Sequence, residues 1–116
     1  MAQRVFLHIG APKAGSTYVQ TLLWANRAAL SDAGLLVPGR ELFDHTLASI
    51  AVRGDHDDAQ LRERAANAWE RSVKRARDAD GDVVLSNEWY CWADADRARM
   101  AVEAFAPAEV HLVFTA

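Results

Sequence analysis

The chain has a single cysteine, Cys91, in 116 residues. One thiol cannot close an internal disulfide, which excludes the stapled scaffold of a small secreted domain. Three prolines and six glycines are too few for a collagen-like or low-complexity chain. No apolar run reaches the roughly 20 residues needed to span a bilayer. The stretch Val5-Phe6-Leu7 is interrupted by His8 and followed by a Gly/Pro/Lys turn, unlike a signal peptide, so the expected location is cytoplasmic. An excess of positive charge is also lacking. Thirteen Lys and Arg stand against 16 Asp and Glu, a net charge of −3. General nucleic-acid binding depends on phosphate neutralisation by Lys and Arg and is not expected here, although a local basic site is compatible with the balance.

What remains is an ordinary globular composition, 51% apolar and 25% charged, at a length that suits one domain with a real core. Arg4 to Gly10 reads as a buried strand, with Val5, Phe6, Leu7 and Ile9 as its β-rich run. Pro12 and Gly15 punctuate a turn over Ala11 to Gly15. Ser16 or Thr17 opens a helix to about Leu30, with Tyr18, Leu22, Ala25 and Ala29 at helical spacing and Val19, Leu23 and Leu30 beside them. Gly34 is placed to close it. Leu35 to Gly39 is a short extended piece, Asp44 to Val52 a short helix, and Gly54 to Asp58 a polar loop with several helix caps. A longer helix is expected from Ala59 to Arg77, its apolar stripe formed by Leu61, Ala65, Ala68, Trp69, Val73 and Ala76. Val83, Val84 and Leu85 make a second buried strand ending at Ser86. Asp94 caps a helix to about Phe105, which Pro107 prevents from continuing, and Val110 to Thr115 is a third buried strand.

Strands alternating with helices imply an α/β parallel sheet flanked by helices. In that architecture ligands collect at the carboxyl ends of strands. The segments there are the loop after Gly10, the segment after Ser86 and whatever follows Thr115.

The first of these is Gly10-Ala11-Pro12-Lys13-Ala14-Gly15-Ser16-Thr17, between a strand and a helix. It has the GxxxxG spacing of a phosphate-binding loop, but Lys13 lies two residues before Gly15, where the common nucleoside-triphosphate version has Lys directly after the second Gly. Backbone N–H groups at a helix N-terminus favour an anion, and Gly15 lets the backbone approach it. Ser16 and Thr17 can donate from their hydroxyls, and Lys13 adds a point charge. The bland alternative is a plain strand–helix turn with Lys13 in water.

From Val5 to Gln20 the sequence resembles the opening of sulfotransferases that use 3′-phosphoadenosine-5′-phosphosulfate (PAPS). Their signature is a strand, a Pro-Lys-x-Gly-Thr/Ser-Thr loop and a helix. Ala14, where Thr or Ser is frequent, and Ser16, where Thr is frequent, are the departures. The resemblance implies a P-loop-like three-layer domain and transfer of a sulfuryl group from PAPS to an acceptor hydroxyl or amine. It also implies that Lys13 contacts the bridging and sulfuryl oxygens, and that Gly15, Ser16 and Thr17 hold the 5′-phosphate, within a cofactor loop of Pro12, Lys13, Ala14, Gly15, Ser16 and Thr17. No metal is required, because Lys and N–H groups take the place of a cation.

Glu88, just after the second strand, resembles the catalytic base of family members that use Glu. The alternative is a helix-start or ion-pair residue partnered by Lys13. Ser86 either bonds the cofactor or caps its turn. Trp89, Tyr90 and Trp92 either floor an acceptor pocket or pack the core. His8 and His111 read as structural. His45 and His56, with Asp44, Asp55, Asp57 and Asp58, offer metal-ligand types in a probable loop, but without ligand spacing.

In the family, an Arg after the third strand and a Ser on the next helix bind the 3′-phosphate. This sequence stops at Ala116, so residues 1–116 are expected to form the amino-terminal part of a single such domain, incomplete at its C-terminus and inactive alone. The expected partners are the nucleotide donor and an unnamed acceptor. The rival readings are a P-loop kinase or NTPase-like phosphate binder, and a non-enzymatic fragment with a vestigial anion site.

Overall fold

In the computed structural model, residues 2–10 and 16–115 are described, Ser16 and Thr17 as backbone only. Four strands pair in parallel in the order β2-β3-β1-β4: β1 is Arg4–Gly10, β2 Leu35–Leu36, β3 Asp82–Ser86 and β4 Glu109–Thr115. The helices are α1 (Ser16–Ala25), α2 (Arg27–Asp32), α3 (Phe43–Arg53), α4 (Ala59–Asp78) and α5 (Ala95–Glu103), with a 3₁₀ turn at Glu88–Trp92. The α/β class with an all-parallel sheet is therefore as the alternation of apolar runs implies. The expected turn from Ala11 to Gly15 lies outside the described residues.

β1 and β3 are central because their side chains are apolar on both faces. Val5, Leu7, Val83 and Leu85 are buried with Ala2, Ala76 and Phe105, and Trp69, Val73 and Val110 pack against them. Phe105 meets Trp69 edge-on, with ring centroids 5.5 Å apart. A second cluster joins α3 to α4 through Leu47, Ile50, Ala65 and Ala68. Small residues at 65, 68, 72 and 76 form the buried stripe of α4, so its long Arg and Glu side chains stay in water. Asp58 and Asp94 cap α4 and α5, each accepting an N–H bond from the residue three positions on.

Three expectations are corrected. The helix expected from Ser16 or Thr17 to Leu30 is two helices divided at Asn26, whose side-chain amide donates to the Leu22 carbonyl. Its stripe of Tyr18, Leu22, Ala25 and Ala29 faces outward, Tyr18 being 70% exposed. Val19, Leu23 and Leu30, the other apolar set, are half-buried, as are Gln20 and Trp24. Leu35 and Leu36 form a strand as well as an extended piece, making four strands instead of three. Finally, β4 is not buried: Leu112 and Phe114 are 62% and 59% exposed. Among the described residues it pairs only with β1 and lies at the sheet edge.

The β2–β3 approach depends on two glycines. Gly34 has a φ of 95°, which favours glycine, and follows α2 as its closing residue. Its carbonyl accepts from the Asp82 amide at 2.8 Å, and a Cβ on Gly81 would sit 2.3 Å from that same oxygen. Gly81→Ala must push β2 away from β3. It is expected to destabilise the fold by about 1–3 kcal/mol, as overpacking does, measured by urea denaturation; an unchanged midpoint would refute the close approach.

Candidate functional site

The carboxyl ends of β3, β1 and β4 lie side by side. From β1 the chain passes to β2, beyond β3; from β3 it passes to β4, beyond β1. The two connections run in opposite directions, so right-handed crossovers send them to opposite faces of the sheet. The crevice between β1 and β3 is the switch point at which open α/β sheets bind ligands. β1 ends at the buried Gly10 and α1 begins at Ser16. Five sequence positions separate that strand end from that helix start.

Of the site residues expected from sequence, Pro12, Lys13, Ala14 and Gly15 lie outside the described residues. The backbones of Ser16 and Thr17 form the first turn of α1. Ser86 is the last residue of β3 and Glu88 the first of the 3₁₀ turn. Glu88 is half-buried. Between them Asn87 is fixed on three sides. Its amide donates to the His8 carbonyl at 3.0 Å, its side-chain N–H to Thr46 Oγ1 at 3.0 Å, and its Oδ1 accepts from the Trp89 amide at 2.9 Å. That last bond caps the turn and sets where Glu88 leaves the sheet.

Two buried histidines brace this edge. The register pairs His8 with Ser86. Its Nδ1 is 2.7 Å from Ser86 Oγ, and its Nε2 is 2.6 Å from Thr115 Oγ1. His45 accepts from the Ser86 amide at Nδ1, 3.1 Å away, so its proton is on Nε2, which donates to the Pro38 carbonyl at 2.7 Å. His8 is the hydrogen-bonded core histidine its sequence context implies. His45 and Asp44 are buried in α3, within the helix expected from Asp44 to Val52 and not in the loop considered for metal ligands. Asp44 Oδ2 accepts from the Arg40 amide and its Oδ1 lies 3.7 Å from Arg71. Among the described residues, no group of three or more His, Cys, Asp or Glu side chains is arranged to hold a metal ion.

The aromatic segment divides by residue. Tyr90 is buried with Val52 and Ala101, and its hydroxyl has no hydrogen-bond partner among the described residues; burial raises its pKa. Trp89 and Trp92 stack at 6.2 Å, and the Arg53 guanidinium lies 5.0 Å from the Trp92 ring centre. Trp92 is 51% exposed. Tyr90 is therefore core, while the two indoles form a partly open wall next to Glu88.

Sequence reasoning missed the linkage of His8 to Ser86 and Thr115. The only available signal was positional: His8 sits two residues before the end of β1, level with the last residue of β3 once the strands are aligned. Comparisons with protein-family models, with curated proteins and with solved structures return no match.

Two predictions follow from these side chains. Burial lowers the pKa of His8 and of His45 below the ordinary 6.5, partly offset in His45 by its bond to Pro38 and by Asp44. On acidification the unfolded chain takes up these protons first. The stability contribution of the neutral imidazoles is thus complete above the unfolded value and is lost as pH falls through 6.5 toward the folded values. The urea midpoint should drop between about pH 7.5 and about pH 5.5, and less so in His45→Gln. Tyr90→Phe removes a buried hydroxyl without a partner and should leave stability unchanged or raise it by up to about 1 kcal/mol. A loss above about 1 kcal/mol would mean that this hydroxyl is bonded.

Proposed function

We propose that the carboxyl edge of this sheet binds the phosphosulfate end of PAPS, and that the protein's chemistry is transfer of the sulfuryl group to an acceptor hydroxyl or amine. The observation that carries the reading is a strand end and a helix start bracketing residues 11–15 at the switch point of a parallel sheet. The Pro-Lys-Ala-Gly-Ser-Thr sequence falls on that connection. In this reading the fold is P-loop-like, and the loop's amides with Ser16 and Thr17 donate to the 5′-phosphate.

Each residue has a separate task. Lys13 holds the bridging and sulfuryl oxygens and offsets the negative charge that builds on the departing phosphate. Glu88 takes the acceptor's proton as its oxygen or nitrogen forms the new bond to sulfur. The sulfur–oxygen bond to the nucleotide breaks with its electron pair left on the phosphate. Half-burial of Glu88 beside Trp89 limits water around the carboxylate, and Asn87 fixes where it starts. Ser86 serves the edge through His8.

The test separates binding from chemistry. Calorimetric titration with 3′-phosphoadenosine 5′-phosphate should show binding that Lys13→Ala weakens by about tenfold or more, as for loss of a charge-assisted bond. In a sulfuryl-transfer assay of a longer protein that carries this chain together with the expected 3′-phosphate segment, Glu88→Gln should keep donor affinity and slow turnover by ~10²–10⁴-fold, the usual worth of a general base. Unchanged turnover removes Glu88 from the mechanism. Binding of ATP that depends on Mg²⁺, with no sulfated acceptor formed from PAPS, would replace the reading with phosphoryl chemistry.

A further inference from the structure

We propose that His8 is a positioning residue that polarises Thr115 into a hydrogen-bond donor for an anion held at the carboxyl edge of the sheet. The inference rests on the anion-site reading above and assigns that site a residue outside the loop.

A neutral imidazole has one N–H and one bare nitrogen. His8 is flanked by two hydroxyls, Ser86 Oγ at Nδ1 and Thr115 Oγ1 at Nε2. One hydroxyl must therefore donate to the ring while the other accepts from it. Burial decides which. Ser86 is 1% exposed, and among the described residues its hydroxyl oxygen has His8 as its only partner. If it accepted from Nδ1–H, its own proton would be buried with no acceptor, at a large desolvation cost. Ser86 therefore donates to Nδ1. The ring proton lies on Nε2 and is donated to Thr115 Oγ1. Among the described residues Thr115 Oγ1 has no other partner, so its own O–H is available to donate.

Thr115 lies at the carboxyl end of β4, on the far side of β1 from β3. Thr115 is half-buried and pairs in register with Gly10, from which residues 11–15 depart. The chain of bonds Ser86 → His8 → Thr115 thus ends in a donor level with Gly10, the last residue of β1. Each bond strengthens the next, and such a terminus favours the oxygens of a sulfate or phosphate over a donor such as an amine. The lowered pKa of His8 agrees with a ring that stays neutral. Its backbone carbonyl accepts from the Asn87 amide, so the residue is held through its main chain as well as through both ring nitrogens.

The experiment uses the 116-residue chain with inorganic sulfate as the probe. Imidazole ¹⁵N shifts report the tautomer of His8, and titration reports affinity. The expected result is the Nε2–H tautomer in saturating sulfate. Thr115→Val should weaken sulfate binding by about tenfold or more, the value of a bond to a charged group, and Thr115→Ser should restore it. If sulfate binds and Lys13→Ala weakens it, but Thr115→Val does not or His8 carries its proton on Nδ1, the proposal is overturned and the anion site stands. If the wild-type chain binds no sulfate, both fail. Should Thr115→Val fail to fold, the tautomer measured in the wild-type chain decides.

Discussion

Strand β1 has a neighbour on each side, so its backbone groups are satisfied only while β3 and β4 both stay in parallel register with it. That requirement organises the molecule. It seats Val5 and Leu7 over Phe105 and the small residues of α4, and it brings His8 level with Ser86 on one side and within reach of Thr115 on the other. An imidazole in this position would be costly if either nitrogen lacked a partner. The two hydroxyls therefore fasten the registers of both neighbours at the end where the sheet is open.

The same edge is tied to the helical layer by His45. Its ring spans from the Ser86 amide to the Pro38 carbonyl, joining the end of β3 to the segment after β2. Asn87 continues the line by binding Thr46 of α3. The bonds run along the carboxyl edge and not through the apolar clusters beneath it. A ligand arriving there would meet side chains already held by buried partners, which is the preorganisation that charge stabilisation requires.

Much of the architecture was legible because the apolar runs are unambiguous. Val83-Val84-Leu85 and Val5 to Ile9 could only be strands, and the caps Asp58 and Asp94 stand one residue before their helices. The failures have physical causes. The outward-facing stripe of α1 has the same spacing as a buried one, because periodicity reveals a face and not what covers it. The exposure of Leu112 and Phe114 follows from the position of β4 in the sheet order, which no local pattern encodes. Within the candidate site, the positions of Ser86 at the end of β3 and of Glu88 just after it were legible from the apolar run. The hydrogen-bonded pairing of His8 with Ser86 and Thr115, 78 and 107 positions away, needed the register first. His45 falls in the helix expected from Asp44 to Val52, but its bonds to Ser86 and Pro38 follow only once α3 is set against the sheet.

The stacked indoles of Trp89 and Trp92 have an optical consequence. Two aromatic chromophores held 6.2 Å apart at an interplanar angle of 30° couple their transitions and give a circular-dichroism signature in the near ultraviolet. Trp69 is packed edge-on against Phe105 and Trp24 lies under the Arg27 guanidinium, so neither has an indole partner of this kind. The protein thus carries a built-in reporter one residue from Glu88. Its signal senses the angle between two rings, and it registers rearrangement of that wall without any added label.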